Sequence, residues 1–208
     1  MYVPKAFAED RADVIGAMID RAAVAHLVTR TDDGLDATTV PLLWVGHLDG
    51  ASGSLVGHVA RANPMWRTAD GAEALAIFAG PDAYISPSWY PAKHEHGRVV
   101  PTWNYVSVLV HGRLTVHDDD AWKLDLVRRL TDHHERDRPE RWSVDDAPAD
   151  FVATQLRAIV GIELVIGRIE AKRKLSQNRD QADVDGAIAG LESGSPSEHA
   201  VADLMRRG

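Results

Sequence analysis

The chain has 208 residues, of which 45% are hydrophobic and 26% charged, with a net charge of −8 and no cysteine. Those proportions exclude a predominantly disordered chain. The missing cysteine excludes disulfides, thiolate nucleophiles, zinc–thiolate sites and iron–sulfur clusters. The acidic balance gives no global attraction for nucleic acid or an anionic membrane, although a local basic patch can still hold a phosphate.

No apolar run approaches the ~20 residues of a spanning helix. The start, Met1-Tyr2-Val3-Pro4-Lys5, has no long apolar stretch behind the lysine, so a cytoplasmic protein is expected. Asp10–Asp20 reads as a helix, with Val14, Ile15, Met18 and Ile19 on one face and Asp10 with Asp13 resembling a capping box. Val24–Thr29 reads as a strand, Asp32-Asp33-Gly34 as a hairpin turn, and Ala37–Val45 as a second strand. Pro41 cannot donate to a ladder, so it points to an edge position or a bulge. After a turn at Asp49–Ser54 come a short strand, Leu55–Val59, and a short helix within Arg61–Arg67. Leu75–Phe78 and Ala83–Ile85 read as two strands separated by Gly80-Pro81, and Pro87–Pro101 as a loop. Trp103–His117 carries the strongest alternation in the chain.

Residues 118–150 hold 11 acids and 6 bases, with Trp122, Leu126, Val127 and Leu130 at helical spacing, and read as a helical insertion with a polar loop. Ile159–Ile169 returns to β-branched alternation. Ser195-Pro196-Ser197-Glu198 is a helix start with proline at the first helical position and a capping box, and Val201, Leu204 and Met205 form an apolar stripe. About six strands, early hairpin turns and no βαβ rhythm favour an antiparallel barrel over a parallel sheet.

Three segments could carry chemistry. Gly57–Arg67 ends a strand with His58, Arg61, Asn63 and Trp66 where a helix would begin, a setting that suits phosphate or equally a capped surface turn. Ser86–Tyr90 and Pro101–Tyr105 cluster four aromatics with Ser, Thr and Asn, fit for a planar ligand or for core packing. Arg168–Arg179 carries five bases and one acid, either a solvated strand end or a contact for phosphate or a partner. His94-Glu95-His96 and His133-His134 lack a second pair at ligand spacing, so no metal site is expected. No nucleophile elbow, Walker loop or Rossmann fingerprint is present.

At these segments the chain resembles the PaiB-type family of FMN-binding negative transcriptional regulators. The resemblance runs through Met1–Pro4, Gly57–Trp66, Gly80–Tyr90, Val100–Tyr105, Ala158–Gly161 and Lys174–Arg179. It implies a mainly β fold with flanking helices (α+β), a six-stranded antiparallel split β-barrel of the flavin-reductase type. It also implies a homodimer with FMN at the subunit interface. Residues 1–180 would form the FMN-binding domain with its insertion around 118–150, and 181–208 a helical tail packing on it. Carried over by motif, the cofactor-binding residues are Thr38, Thr39, His58, Arg61, Asn63, Trp66, Thr102, Trp103, Asn104, Lys174, Ser176 and Gln177, with Arg61 at the phosphate. Family members often carry a histidine just before the Pro-Leu-Leu of the second strand, where this chain has Thr39-Val40. No helix-turn-helix is visible, so regulation is expected to be indirect and sequence-specific DNA binding is not expected. The competing reading is a flavin-dependent oxidoreductase acting on a small molecule.

Overall fold

Ile15 and Ile19, four residues apart, bury one stripe of helix α1 (Ala12–Ala22), while Asp13 in its first turn and Arg21 in its last complement the helix dipole. Ala23 takes a left-handed conformation (φ 60°) that stops the helix and starts the sheet. Near the start of α1 the carboxylate that bonds the chain is that of Glu9, which accepts from the Arg11 amide at 3.0 Å, rather than an Asp10–Asp13 box. The computed structural model describes residues 1–31, 34–46 and 53–207. Asp32 and Asp33 of the expected hairpin turn, and most of the turn at Asp49–Ser54, lie outside them.

Among the described residues there are eight strands, not six. They are β1 (Ala8–Glu9), β2 (Val24–Thr31), β3 (Gly34–Pro41), β4 (Leu43–Gly46), β5 (Gly53–Ala60), β6 (Glu73–Ile85), β7 (Thr102–His117) and β8 (Ile159–Lys174). Their hydrogen-bonded order is β3-β2-β6-β7-β8-β5-β4, with β1 on β8. The registers are antiparallel: Val24↔Pro41 to Thr31↔Gly34 for β2–β3, and Ser54↔Val165 to Ala60↔Ile159 for β5–β8.

The strand count differs for local reasons. Leu42 divides the expected strand Ala37–Val45 into β3 and β4, just after Pro41 at the end of an edge strand. Gly80-Pro81 does not interrupt β6; a Cβ on Gly80 would lie 2.2 Å from Val106 Cγ2, so the glycine serves close packing there. The helix expected in Arg61–Arg67 is confined to α2 (Trp66–Ala69), since Pro64 disfavours a helical residue before it. The loop 87–101 contains a 3₁₀ turn (Pro87–Trp89) and α3 (Ala92–Glu95). The insertion holds α4 (Asp120–Glu135), a 3₁₀ turn (Val144–Asp146) and α5 (Ala149–Arg157). Two C-terminal helices follow, α6 (Gln181–Leu191) and α7 (Pro196–Arg206). The second starts with the expected Ser195–Glu198 capping box and Pro196 at the first turn.

The chain divides into two units. The first comprises Met1–Arg21, Ala79–Leu109 and Glu170–Gly208. Its core joins Ile85, Tyr90, Val106 and Leu175 to Ala187 and Leu191 of α6 and Val201 and Met205 of α7. The second comprises Ala22–Phe78 and Val110–Ile169. Here Leu126 and Leu130 of α4 cover Val56, and Trp122 sits where a Cβ on Gly161 would be 2.2 Å away. Among the described residues no helix is long and apolar enough to cross a membrane.

Candidate functional site

The residues singled out from the sequence fall into two clusters, one per unit. In the second unit, Asn63 donates its amide to Thr38 Oγ1 at 3.1 Å and accepts from the Met65 amide at 3.0 Å, which fixes the turn between β5 and α2. Trp66 Nε1 donates to the Arg61 carbonyl at 3.0 Å, and the Arg61 and Arg67 guanidinium groups lie 5.8 and 5.6 Å from its ring centre. Thr39 Oγ1 bonds His26 Nδ1 at 3.0 Å across β2–β3. His58 is half-buried on β5; its Nδ1 is buried without a hydrogen-bond partner, and burial lowers its pKa, favouring the neutral imidazole.

Arg61 is already committed. Its Nε donates to the Arg157 carbonyl at 2.7 Å, Nη1 to Asp118 Oδ2 at 2.9 Å, and Nη2 to Asp118 Oδ1 and to the Ile159 carbonyl. The paired hydrogen bonds hold the Asp118 carboxyl at a pKa of about 2. Buried Lys123 donates to the same carboxylate at 3.2 Å, to Asp120 at 2.9 Å and to the Leu156 carbonyl at 2.9 Å. Asp118 thus sits on the guanidinium fork in the two-pronged manner a phosphate would use. All three guanidinium nitrogens clasp the end of β5 to the insertion. Arg61→Ala is therefore expected to lower the melting temperature while leaving the ratio of FMN to riboflavin affinity unchanged. Calorimetry and flavin-fluorescence titration read the two effects separately, and a selective loss of FMN would show that Arg61 leaves Asp118 for the cofactor.

The cluster in the first unit has the opposite character. Lys172 and Lys174, two apart on β8, flank the ring of Tyr105 at 5.1 and 5.9 Å. Lys174 Nζ donates to Thr102 Oγ1 and, at 2.7 Å, to the Trp103 carbonyl. Lys172 is 8% exposed, and its Nζ donates to the Tyr2 carbonyl at 3.4 Å. Neither ammonium forms an ion pair among the described residues. Burial, joined by repulsion from Lys172 and opposed by Tyr105, lowers the Lys174 pKa. Trp103 is 53% exposed and meets exposed Tyr84 edge-on, ring centres 6.1 Å apart.

Beside them, buried Asn104 donates to Ser176 Oγ at 3.0 Å and accepts from it at 3.2 Å. Gln177 accepts from the Leu175 amide at 2.7 Å and donates to the Arg173 carbonyl at 2.5 Å. Ser176 is held at φ 66°, a left-handed conformation that serine rarely adopts. These bonds turn the chain sharply after Lys174, so Asn104, Ser176 and Gln177 shape the site's backbone. Lys172, Tyr105 and Tyr84 were not among the residues carried over. The available signal was Lys172 and Lys174 sharing one face of a strand at period two.

An antiparallel sheet with flanking helices, in this strand order, has the architecture of the split-barrel class. The solved structures of the flavocytochrome Anf3 from Azotobacter vinelandii and of an FAD and heme binding protein from Mycobacterium smegmatis share this fold. Their TM-scores are 0.62 and 0.61, at 16% and 19% identity, over 88% of this chain and 78% and 79% of theirs. The family described as "Putative FMN-binding domain" matches residues 1–168, and the chain belongs to that family. It is 33% identical to "Protease synthase and sporulation protein PAI 2" of Bacillus subtilis (strain 168), over 99% of this chain and 96% of that one. It is 27% identical to "Uncharacterized protein AN0679" of Emericella nidulans, over the same shares of the two chains.

Proposed function

We propose that FMN binds with its phosphate at Lys172, Lys174 and Thr102, and its ring system against Trp103. The observation that carries this reading is the pair of ammonium groups on β8, Lys172 buried and Lys174 half-buried, with no carboxylate paired to either among the described residues. Two such cations repel each other, and a dianion relieves both their desolvation and their repulsion. Thr102 presents a hydroxyl to the same ammonium, and the half-exposed Trp103 offers an apolar face to a planar ring. Bound FMN supplies hydride or electron chemistry; the protein contributes position and charge.

Lys174→Gln is expected to weaken FMN by about tenfold or more, because a charge-assisted contact is worth ~1.5–3 kcal/mol. Riboflavin, which lacks the phosphate, should change less than about twofold. Lys174→Arg should restore most of the FMN affinity. Equal weakening of both flavins would remove the phosphate from this site.

The same reading makes regulation indirect. Of the five bases in residues 168–179, Lys172 and Arg173 are buried, and Arg173 pairs with Glu9 at 3.3 Å. Arg179 lies over Tyr90 and reaches Asp183 at 3.9 Å. That leaves no continuous basic stripe along this segment for a nucleic-acid backbone, and the net charge is −8. A gel-shift titration at ~150 mM salt should show less than ~10³-fold preference for any promoter over scrambled duplex. A homodimer fits the exposed Val100, Tyr84 and Trp103, with at least ~2,000 Å² buried in total. Sedimentation as a 22.7 kDa monomer at micromolar concentration would remove it.

A further inference from the structure

The second unit carries a cavity that the flavin reading does not use. It is an open groove of about 660 Å³ between three strands, lined by Glu73 and Ala74 of β6, His111–Arg113 and Thr115 of β7, and Val165–Arg168 of β8, with Arg113 and Val165 exposed at its rim. A second cavity of about 710 Å³ shares Glu73, Ala74, His111 and Arg113 with it and continues past Leu75 to Val28 and Leu35. Both volumes fall in the range of small-molecule sites.

Arg113 stands where the two cavities meet. Its Nη1 donates to the Gly71 carbonyl at 2.6 Å, and the Gly71 amide in turn donates to the Leu114 carbonyl at 2.8 Å. The guanidinium is therefore anchored at one nitrogen to backbone that is itself fixed. No acceptor among the described residues takes its other N–H groups. This differs from Arg61, whose three nitrogens all have protein partners. The lining carries two arginines and a histidine against the single carboxylate of Glu73. Val165 and Ile166 on one side, and Val28, Leu35 and Leu75 on the other, supply apolar walls.

The floor is kept low by glycine. A Cβ on Gly112 would stand 2.2 Å from the Val165 carbonyl oxygen, so β7 and β8 approach closely only with glycine there. Gly167 is different: a Cβ there would meet only the His111 carbonyl, at 3.6 Å, which leaves open space above it.

We propose that this cavity binds a small aromatic carboxylate, its acid on the free edge of Arg113 and its ring between the apolar walls. A planar guanidinium edge matches a carboxylate in geometry and charge, and the small-residue floor at Ala74, Gly112 and Gly167 accepts a flat ring. The site is built from residues other than those proposed for FMN, so it stands or falls independently of that assignment.

The test uses the full-length protein loaded with FMN, with 2-naphthoate as the probe, 2-naphthamide as its uncharged counterpart and inorganic phosphate as a third arm. Calorimetric titration should show the acid binding at least about tenfold more tightly than the amide or phosphate, the scale of one charge-assisted contact. Arg113→Gln should remove that preference. Gly167→Leu, which fills the open space, should abolish binding of both probes. The flavin visible spectrum should be unchanged in both variants, which separates failure here from failure of the FMN site. Equal binding of acid and amide, or no binding of the acid, would overturn the proposal. So would displacement of naphthoate by excess FMN, which would make the cavity part of the flavin site. A change of sedimentation in Arg113→Gln would also overturn it, by making the surface a contact with a second copy.

Discussion

Gly186→Ala is expected to destabilise the protein by about 2 kcal/mol, even though the same exchange in an exposed helix interior gains nearly 1 kcal/mol. The two effects have opposite signs, and distance decides between them. A Cβ on Gly186 would lie 2.1 Å from the Trp89 carbonyl oxygen, and that atom belongs to backbone that cannot rotate away. One turn later, a Cβ on Gly190 would lie 2.2 Å from Trp89 Cδ2. The two glycines let α6 rest directly on the 87–89 turn, and Ala187 and Leu191 beside them are fully buried. Helix α6 must lift off to admit a methyl group, which opens the core around Ile85, Tyr90 and Leu175. For a chain of this length a loss of ~2 kcal/mol lowers the melting temperature by roughly 4–8 °C. Urea unfolding followed by near- and far-ultraviolet circular dichroism measures it, and a raised melting temperature would show that the close approach is not a constraint.

Acid is expected to weaken the protein between pH 4.5 and 2, with Glu9 as a principal cause. Its side chain is 5% exposed and accepts from Arg11 Nε at 2.8 Å and Nη2 at 2.7 Å and from Arg173 at 3.3 Å. The Arg11 hydrogen bond leads in lowering its pKa from 4.5 to about 2. A depressed carboxyl pKa contributes stability that is full above the unfolded value and is lost as pH falls through the folded one. The contribution is on the order of 2 kcal/mol once the solvent exposure of Arg11 is discounted. Asp118, also near 2, adds a smaller share with the same sign because it is half exposed. Glu9→Gln should therefore be less stable than the parent at pH 6 and approach it at pH 2.5. Parallel stability curves for the two proteins across that interval would remove Glu9 as the cause.

Features set by neighbouring residues were legible in the sequence. The Ser195–Glu198 capping box, the edge position of Pro41, the long alternating strand at Thr102–His117 and the amphipathic stripe of α4 all depend on groups a few residues apart. The continuation of β8 through Lys172-Arg173-Lys174 was not legible, because three consecutive cations read as a solvated strand end. The structure pairs Lys172 with Ala8 and Arg173 with Glu9, and these are contacts with the start of the chain. Arg61 shows the same limit in reverse. A basic residue after a strand suits a phosphate, but the carboxylate that takes it is 57 positions away.

The sequence by itself determined the class: an antiparallel, cysteine-free, acidic protein whose motifs match an FMN-binding family. Hydrophobic periodicity and turn chemistry are local and survive in the linear chain, so they could be read there. Only the tertiary structure decided which cations are compensated. Asp118 neutralises Arg61, Glu9 neutralises Arg173, and among the described residues Lys172, Lys174 and Arg113 have no carboxylate partner. That distinction depends on distances between side chains far apart in the chain, because an ion pair forms where folding brings opposite charges within about 4 Å and no local pattern records it.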